Sequence, residues 1–287
     1  MSKPSLVSVD LDLTKPVTTL IKKVAGAVGM IYEPTHVRRM ATAEAEASTT
    51  RLHNEIDLSR LENRAKLRLE RENLIYQQNM EQIMVKTIDQ LSESSDANKL
   101  NNDWLINFFD KARLITDEEM QQIWANILTE QINTPEKFSK RTVNTVSGFD
   151  KYDAETFENL CRFNWIVDDE TIPLIFQFYW VEDIYKNNGI NLDTINHLES
   201  IGLINNSIQT GYSKDFDTNN MTAVYEKRHL QLFSNKSREQ VDIGCITLTK
   251  TGKELATICK PETVDDFFDY VKERWEEHLT QSTIPSD

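Results

Sequence analysis

From Thr35 to Asn133 the chain runs without a glycine or a proline. Tight hairpin turns draw on those residues, so so long a stretch without them admits little but helices and short polar connections. Within it, Met40 to Met84 is built from Ala, Glu, Arg, Leu, Asn and Gln, as in ATAEAEA and LSRLENRAKLRLERENL. The composition predicts one long, charged helix. Its apolar positions (Leu52, Ile56, Leu58, Leu61, Ala65, Leu69, Tyr76, Met80, Ile83, Ile88 and Leu91) follow a heptad only loosely. A two-stranded coiled coil needs a stricter seam, so the helix is expected to pack on a neighbour or on a copy of itself. Pairs such as Glu62 and Lys66 on its polar side would add only about 0.2–0.5 kcal/mol each.

Ahead of this helix, Val17, Leu20, Ile21, Val24, Val28 and Ile31 recur at i, i+3, i+4, i+7 spacing, which predicts an amphipathic helix over Val17–Tyr32. Glu33-Pro34 ends it, because a proline disfavours the helical region for the residue before it. Lys22 and Lys23 lie on the polar side, so the segment suits an anionic membrane interface, or packing of its stripe on the long helix or within an oligomer. Ala25 and Gly29 add the small-xxx-small spacing that lets two helices approach closely.

Beyond the Ser/Asn-rich stretch Ser92 to Asn102 the pattern changes. Trp104, Leu105, Phe108, Phe109 and Ala112 form one helical stripe. Thr116-Asp117-Glu118-Glu119 reads as a capping box ahead of Met120, Ile123, Trp124, Ile127 and Leu128. Thr134-Pro135 reads as another helix start, and Asp153 as the cap of a helix carrying Phe157, Leu160, Cys161 and Trp165. A four-helix packet over Asp103 to Trp165 is expected. After Pro173 to Trp180, a compact apolar run, come a helix over Asp193 to Ile201 and rough alternation in Met221–Glu226, His229–Phe233 and Val241–Leu248, the mark of a small antiparallel sheet. Helices return at Lys250–Cys259 and Glu262–Leu279. All five tryptophans, Trp180 included, sit in apolar stripes and are expected in the core.

Charge narrows the function classes. The chain carries 32 basic and 46 acidic residues, a net charge of -14. The segment 1–90 holds 13 basic and 12 acidic residues, so the acidity is concentrated in 91–287. Such a balance repels phosphate backbones at long range, and nucleic acid is not an expected partner. Three cysteines without a CxxC pair suit a reducing compartment. No apolar run reaches the roughly 18–20 residues of a spanning helix, and MSKPSLVSVDLDL lacks the apolar core of a signal peptide. A cytoplasmic protein, in peripheral contact with the inner membrane at most, is expected.

No reaction is written in the sequence. His36, His53, His197, His229 and His278 lie in separate segments, and neither HExxH nor Cys/His ligand spacing occurs. GxGxxG, GxxxxGK[ST] and GxSxG are likewise missing, and Asp168-Asp169-Glu170 and Asp265-Asp266 read as solvated acidic runs. Neither catalytic residues, metal ligands nor a cofactor are expected.

Two resemblances add to this reading. HLESIGLI (His197–Ile204), a strand region, and ITLTKTGKELATI (Ile246–Ile258) resemble a winged-helix pattern over about 70 residues. Here Gly202 would supply a left-handed helix end, Thr249 a cap, and Gly252 a close approach of helix to strand. The resemblance implies a reader helix at Asp193–Ile201, yet that helix carries no Lys or Arg; the basic cluster Lys227, Arg228, His229, Lys236 and Arg238 lies near the wing instead. These five residues are candidate contacts to nucleic acid or, preferably, to a protein partner. The whole layout is also similar to an uncharacterised bacterial family known only as a domain of unknown function, through Tyr32-Glu33-Pro34, the Ala/Glu-rich Ala41–Ala47, DEEMQQIWANIL and FSKRTV. That likeness implies a bacterial origin and a place in phage-defence loci, and brings no catalytic residues.

The expected class is therefore mainly α with a small α+β part: an amphipathic segment over 1–34, a long charged helix over 35–100, a helical packet over 101–170 and a winged-helix-like domain with a C-terminal helix over 171–287. The expected function is a non-enzymatic interaction or sensor protein of bacterial antiviral defence, homo-oligomeric through its N-terminal helices and binding a protein through its C-terminal region. The alternatives are a membrane-acting effector that inserts its N-terminal helix and a DNA-binding regulator.

Overall fold

The structure, a computed structural model, describes residues 14–30, 32, 60–216, 220–234 and 239–279. The chain divides into two compact units, Met1–Ser147 and Gly148–Asp287.

In the first unit every described regular element is helical. Helix α1 (Lys15–Val28) starts with Pro16 in its first turn and stops at Gly29, which takes a left-handed φ of 72° and donates its N–H to the Ala25 carbonyl at 3.0 Å. Helix α2 (Leu61–Ile88) is 28 residues long, roughly 42 Å at 1.5 Å per residue. Helix α3 (Asn102–Ala112) follows a short 3-10 turn, Ala97–Lys99, and is capped by Asn101, whose side chain accepts from the Trp104 N–H. Helix α4 (Glu118–Asn133) is capped by Asp117 rather than Thr116: its carboxylate accepts from the amides of Glu119 at 3.0 Å and Met120 at 2.9 Å. Carboxylate charge at a helix N-terminus also meets the positive end of the helix dipole, which favours Asp over Thr there. Helix α5 (Lys140–Val146) begins at the Ser139 cap, after a turn over Thr134–Phe138 in which Glu136 has φ 68°.

The core of this unit is aromatic. Trp104 stacks on Phe108 with ring centroids 5.1 Å apart, and Phe108 meets Trp124 at 5.0 Å, all buried. The C-terminal half of α2 closes over α4 with Ile83 and Met84 buried. Its edge is fixed by polar bonds: Asn79 Nδ2 donates to the Arg113 carbonyl at 2.8 Å, and Gln121 Nε2 donates to Gln82 Oε1 at 2.8 Å.

The second unit is α+β. Helix α6 (Lys151–Cys161) opens with a capping box between Asp150 and Asp153. Strands β1 (Asn164–Val167) and β2 (Glu170–Pro173) form a hairpin whose two turn residues, Asp168 and Asp169, have φ 46° and 65°. Both positive values fit the primed turns that match the twist of a hairpin. Helices α7 (Asp183–Lys186) and α8 (Leu192–Ser200) lead to β3 (Ile204–Asn206), β4 (Ser213–Phe216), β5 (Met221–Tyr225), β6 (Arg228–Leu232), β7 (Glu239–Asp242) and β8 (Ile246–Leu248). Helices α9 (Lys250–Ala256) and α10 (Phe267–Arg274) and a 3-10 turn, Glu276–His278, complete it.

This topology overturns the winged-helix expectation. The hairpin β5–β6, expected as a wing, is built into a four-stranded antiparallel sheet in the order β2-β1-β5-β6, with Ile166 opposite Val224. The other pairings, β3 with β8 and β4 with β7, are separate two-stranded sheets. The α+β part is thus a full unit with eight described strands, half of them in one sheet that starts ahead of the segment carrying the resemblance. The physical reason is Trp165. Its indole lies stacked between Tyr225 of β5 at 5.2 Å and Phe268 of α10 at 5.4 Å, with Trp275 edge-on at 5.7 Å. Burying these rings stabilises the sheet more than a free-standing hairpin would. The local signals at the resembling segment are nonetheless present. Gly202 has φ 77°, Thr249 Oγ1 accepts from the Gly252 N–H at 3.1 Å, and a Cβ on Gly252 would collide with the Leu203 carbonyl.

Electrostatics joins β2 to later elements. Glu170 accepts from Lys253 Nζ at 2.6 Å and from Lys214 Nζ at 3.3 Å, and these bonds, Lys253 first, hold its carboxyl below the usual value of 4.5. A depressed carboxyl pKa contributes stability that is present above the unfolded value and is lost as pH falls through the folded one. Glu170→Gln is therefore expected to lower stability above pH 4.5, at pH 7 to 9 alike, and to cost progressively less as pH falls below 4.5, so that the acid limb of the stability-against-pH curve flattens, as read by urea midpoints across that range.

Candidate interaction surfaces

The N-terminal stripe is covered within its own unit. Val17, Leu20 and Val24 are buried and Ile21 and Val28 half-buried, because α1 packs on α3 and on the turn Ala97–Lys99. Lys22 is exposed, and Lys23 Nζ reaches the Asn98 carbonyl at 3.5 Å. Ile31 lies outside the described residues. Contact of this stripe with lipid would require α1 to leave α3 and expose Leu20 and Val24, at a cost of about 1.5–3 kcal/mol for each large apolar side chain.

The basic cluster is divided. Lys227 and His229 are exposed at the β5–β6 turn, where Glu226 has φ 53°. Arg228 is engaged: its guanidinium lies 3.6 Å from the Phe268 ring centroid and its Nη2 donates to Asp269 Oδ1 at 2.9 Å. It pins the hairpin to α10. Lys236 and Arg238 lie outside the described residues.

Two apolar surfaces stand open instead. On α2 no side chain from Leu61 to Ile75 is buried, and Leu61 (73% exposed), Leu69 (56%), Leu74 (45%) and Ile75 (39%) face solvent. The same helix is sealed from Tyr76 onward, where the Arg113 guanidinium covers the tyrosine ring at 4.9 Å. Around the exposed leucines the charges are of both signs, with Arg68 and Glu72 paired at 3.4 Å.

The second surface is the turn Phe178–Val181 of the second unit. Phe178 and Val181 are each 61% exposed, and the Val181 N–H donates to the Phe178 carbonyl at 2.9 Å. Phe178 adopts φ 66°, a left-handed conformation that costs a bulky residue about 1–3 kcal/mol. Trp180 is half-buried, 5.4 Å from the Phe178 ring and edge-on to buried Tyr179 at 5.2 Å. The base is rigid: Arg274 covers Phe176 at 4.6 Å and Tyr270 at 4.9 Å, and its Nη2 donates to Glu182 Oε1 at 3.4 Å. The other four tryptophans are buried as expected, whereas Trp180 belongs to this surface. The run Pro173–Trp180 reads as one compact apolar stretch in sequence because nothing in the residue types marks the reversal at Phe178.

Titratable groups are used structurally. His197 Nε2 lies 2.6 Å from Asp153 Oδ1 and its ring 5.2 Å from that of Tyr152, which ties α8 to α6. Tyr185, its phenol pushed up by burial, donates to the Leu174 carbonyl at 2.9 Å. His278 is buried with Nδ1 3.7 Å from Glu239 Oε1. Among the described residues no group of three or more His, Cys, Asp or Glu side chains could hold a metal ion, and no helix is long and apolar enough to cross a membrane.

These features define a two-unit protein with a helical first unit, an α+β second unit and open apolar patches on each. Residues 63–272 match the family described as "Protein of unknown function (DUF2806)", and the chain belongs to that family. The match starts near the head of α2 and runs through both units to α10. No curated protein and no solved structure matches the chain significantly.

Proposed function

We propose that this is a non-enzymatic interaction protein, which self-associates through the N-terminal half of α2 and takes a protein partner on the Phe178–Val181 turn. The observation that carries the reading is the exposure of Leu61, Leu69, Leu74 and Ile75 on a helix whose other half is sealed. A second copy is the occupant that the mixed charges favour, since the basic Arg64, Lys66 and Arg68 are flanked by Glu62, Glu70 and Glu72 and can meet their opposites across a two-fold axis. Light scattering on the full chain over a range of concentrations tests this, and a monomer at every concentration would remove it.

The aromatic turn supports partner binding for a different reason. Aromatic residues on a rigid base lose little conformational freedom on docking, and Trp, Tyr and Arg dominate interface energetics. Phe178→Asp with Val181→Asp is expected to abolish co-purification of a partner from the native host, while the melting temperature of the purified protein stays within a few degrees of wild type. Retention of the same partner by the double variant would exclude the turn. The setting we propose, bacterial antiviral defence, rests on the sequence resemblance alone, and plating efficiency of phage on cells with and without the intact gene tests it.

A further inference from the structure

We infer that Cys161 and Cys259 are the two halves of a reversible disulfide, a thiol modification site that clasps the second unit. Cys161 is the last residue of α6 and buried; Cys259 lies three residues beyond the end of α9 and is partly exposed. The two side chains lie close enough to act on each other, and both are free thiols here.

Bonds that do not involve the sulfurs hold the same two stretches of chain together. Arg162, next to Cys161, donates from Nε to the Glu262 carbonyl at 3.1 Å and from Nη2 to the Thr263 carbonyl at 3.4 Å. Tyr225 Oη donates to the Arg162 carbonyl at 2.8 Å and accepts from the Val264 N–H at 2.9 Å. The end of α6 is therefore tied on two routes to the segment that begins at Cys259. That segment has no regular secondary structure between Ala256 and Phe267, so the backbone can yield as the sulfurs close to a bond of about 2.05 Å.

The two thiols have different roles. Hydrogen bonding with Cys259 and burial both raise the Cys161 thiol above its ordinary range, so it stays protonated at neutral pH. Cys259, the accessible one, makes the first attack. With a low-molecular-weight disulfide as the oxidant, the Cys259 thiolate forms a bond to one sulfur of that disulfide and expels the other half as a thiol. Cys161 then gives up its proton, attacks the Cys259 sulfur and expels the second half as a thiol. One external disulfide is reduced to two thiols, and the protein's two thiols are oxidised to one disulfide. The bond would enclose every described strand of the unit, since Cys161 precedes β1 and Cys259 follows β8. Cys245 stands apart, buried with its thiol against the Ile175 carbonyl at 3.3 Å.

The test is to incubate the full chain with glutathione disulfide, denature it under acid, and alkylate. The expected result is one alkylated thiol, Cys245, in place of three, a mass lower by two hydrogens before alkylation, a crosslinked peptide pair containing Cys161 and Cys259, and full reversal by a phosphine reductant. Cys161→Ser should instead retain a glutathione adduct on Cys259, because nothing remains to resolve it. Retention of three thiols in the wild-type chain, a stable glutathione adduct on its Cys259, or a bond that includes Cys245 would each overturn the inference. The wild-type peptide map stands even if the Cys161 variant does not fold.

Discussion

Trp165→Ala is expected to destabilise the second unit by about 3–5 kcal/mol, the cost of deleting a large ring from a site that cannot collapse around the void. The site is rigid because its walls come from separate elements: Tyr225 from β5, Phe267 and Phe268 from α10, and Trp275 beyond it. Two of those walls are held by further bonds. Tyr225 is fixed through its hydroxyl to Arg162 and Val264, and Trp275 donates its indole N–H to the Asp242 carbonyl at 2.9 Å. Against a typical domain stability of about 5–15 kcal/mol, such a loss leaves the unit marginal at 37 °C. Urea unfolding followed by far-ultraviolet circular dichroism measures it. Trp180→Ala is the control, a half-buried ring on the exposed turn, and should cost under about 1 kcal/mol. A result in which the two substitutions cost the same would contradict the division of the tryptophans into core and surface.

The second large effect falls on assembly. Leu69→Asp combined with Leu74→Asp is expected to weaken self-association by a factor on the order of 100 to 10,000. Burial of two leucines contributes about 3–6 kcal/mol, and each 1.4 kcal/mol is tenfold in an equilibrium constant. Because both side chains already face solvent, the folded monomer loses nothing, and the thermal transition should move by no more than a few degrees. Sedimentation equilibrium of the wild-type and double-variant full chains reads the association constant directly. Equal constants would show that α2 is not the assembly surface. Leu20→Asp, on the buried face of α1, should behave in the opposite way: it would unfold the first unit's edge rather than separate copies.

Much of the first unit could be read in the sequence because helices announce themselves locally. The stripe from Trp104 to Ala112 and the carboxylate ahead of Met120 each act within a few residues, although Asp117 is the cap where Thr116 is expected and the helix expected to start at Thr134-Pro135 begins only at the Ser139 cap. Strands β5 and β6 were likewise visible through alternation. The hairpin β1–β2 was not, because its strands are four residues each and its turn is Asp-Asp rather than Asn-Gly. That hairpin decides the fold class, because in sequence Trp165 reads as the end of a helical stripe and nothing marks β1 as a partner for β5. Gly202, Thr249 and Gly252 do what the winged-helix pattern implies for each of them, yet they report only on their own turns. The surfaces followed the same logic. Leu61 and Leu69 read as apolar positions of α2, but which half of the helix is sealed depends on Asn79 meeting Arg113 and Gln82 meeting Gln121, partners far apart in sequence.

The nesting of the strands sets the order in which the second unit can form. The hairpins β1–β2 and β5–β6 each close over a two-residue turn and can appear within microseconds. Joining them requires β1 to find β5 across more than fifty intervening residues, while β3 waits for β8 and β4 for β7. Every one of these closures spends loop entropy before the sheet contacts repay it, so the unit has the high contact order of a slow folder. The first unit emerges from the ribosome earlier, and its pairings, α1 on α3 and α2 on α4, join helices that each form locally before they dock. A nascent chain would therefore display its finished α2 surface while the strands of the second unit are still unpaired.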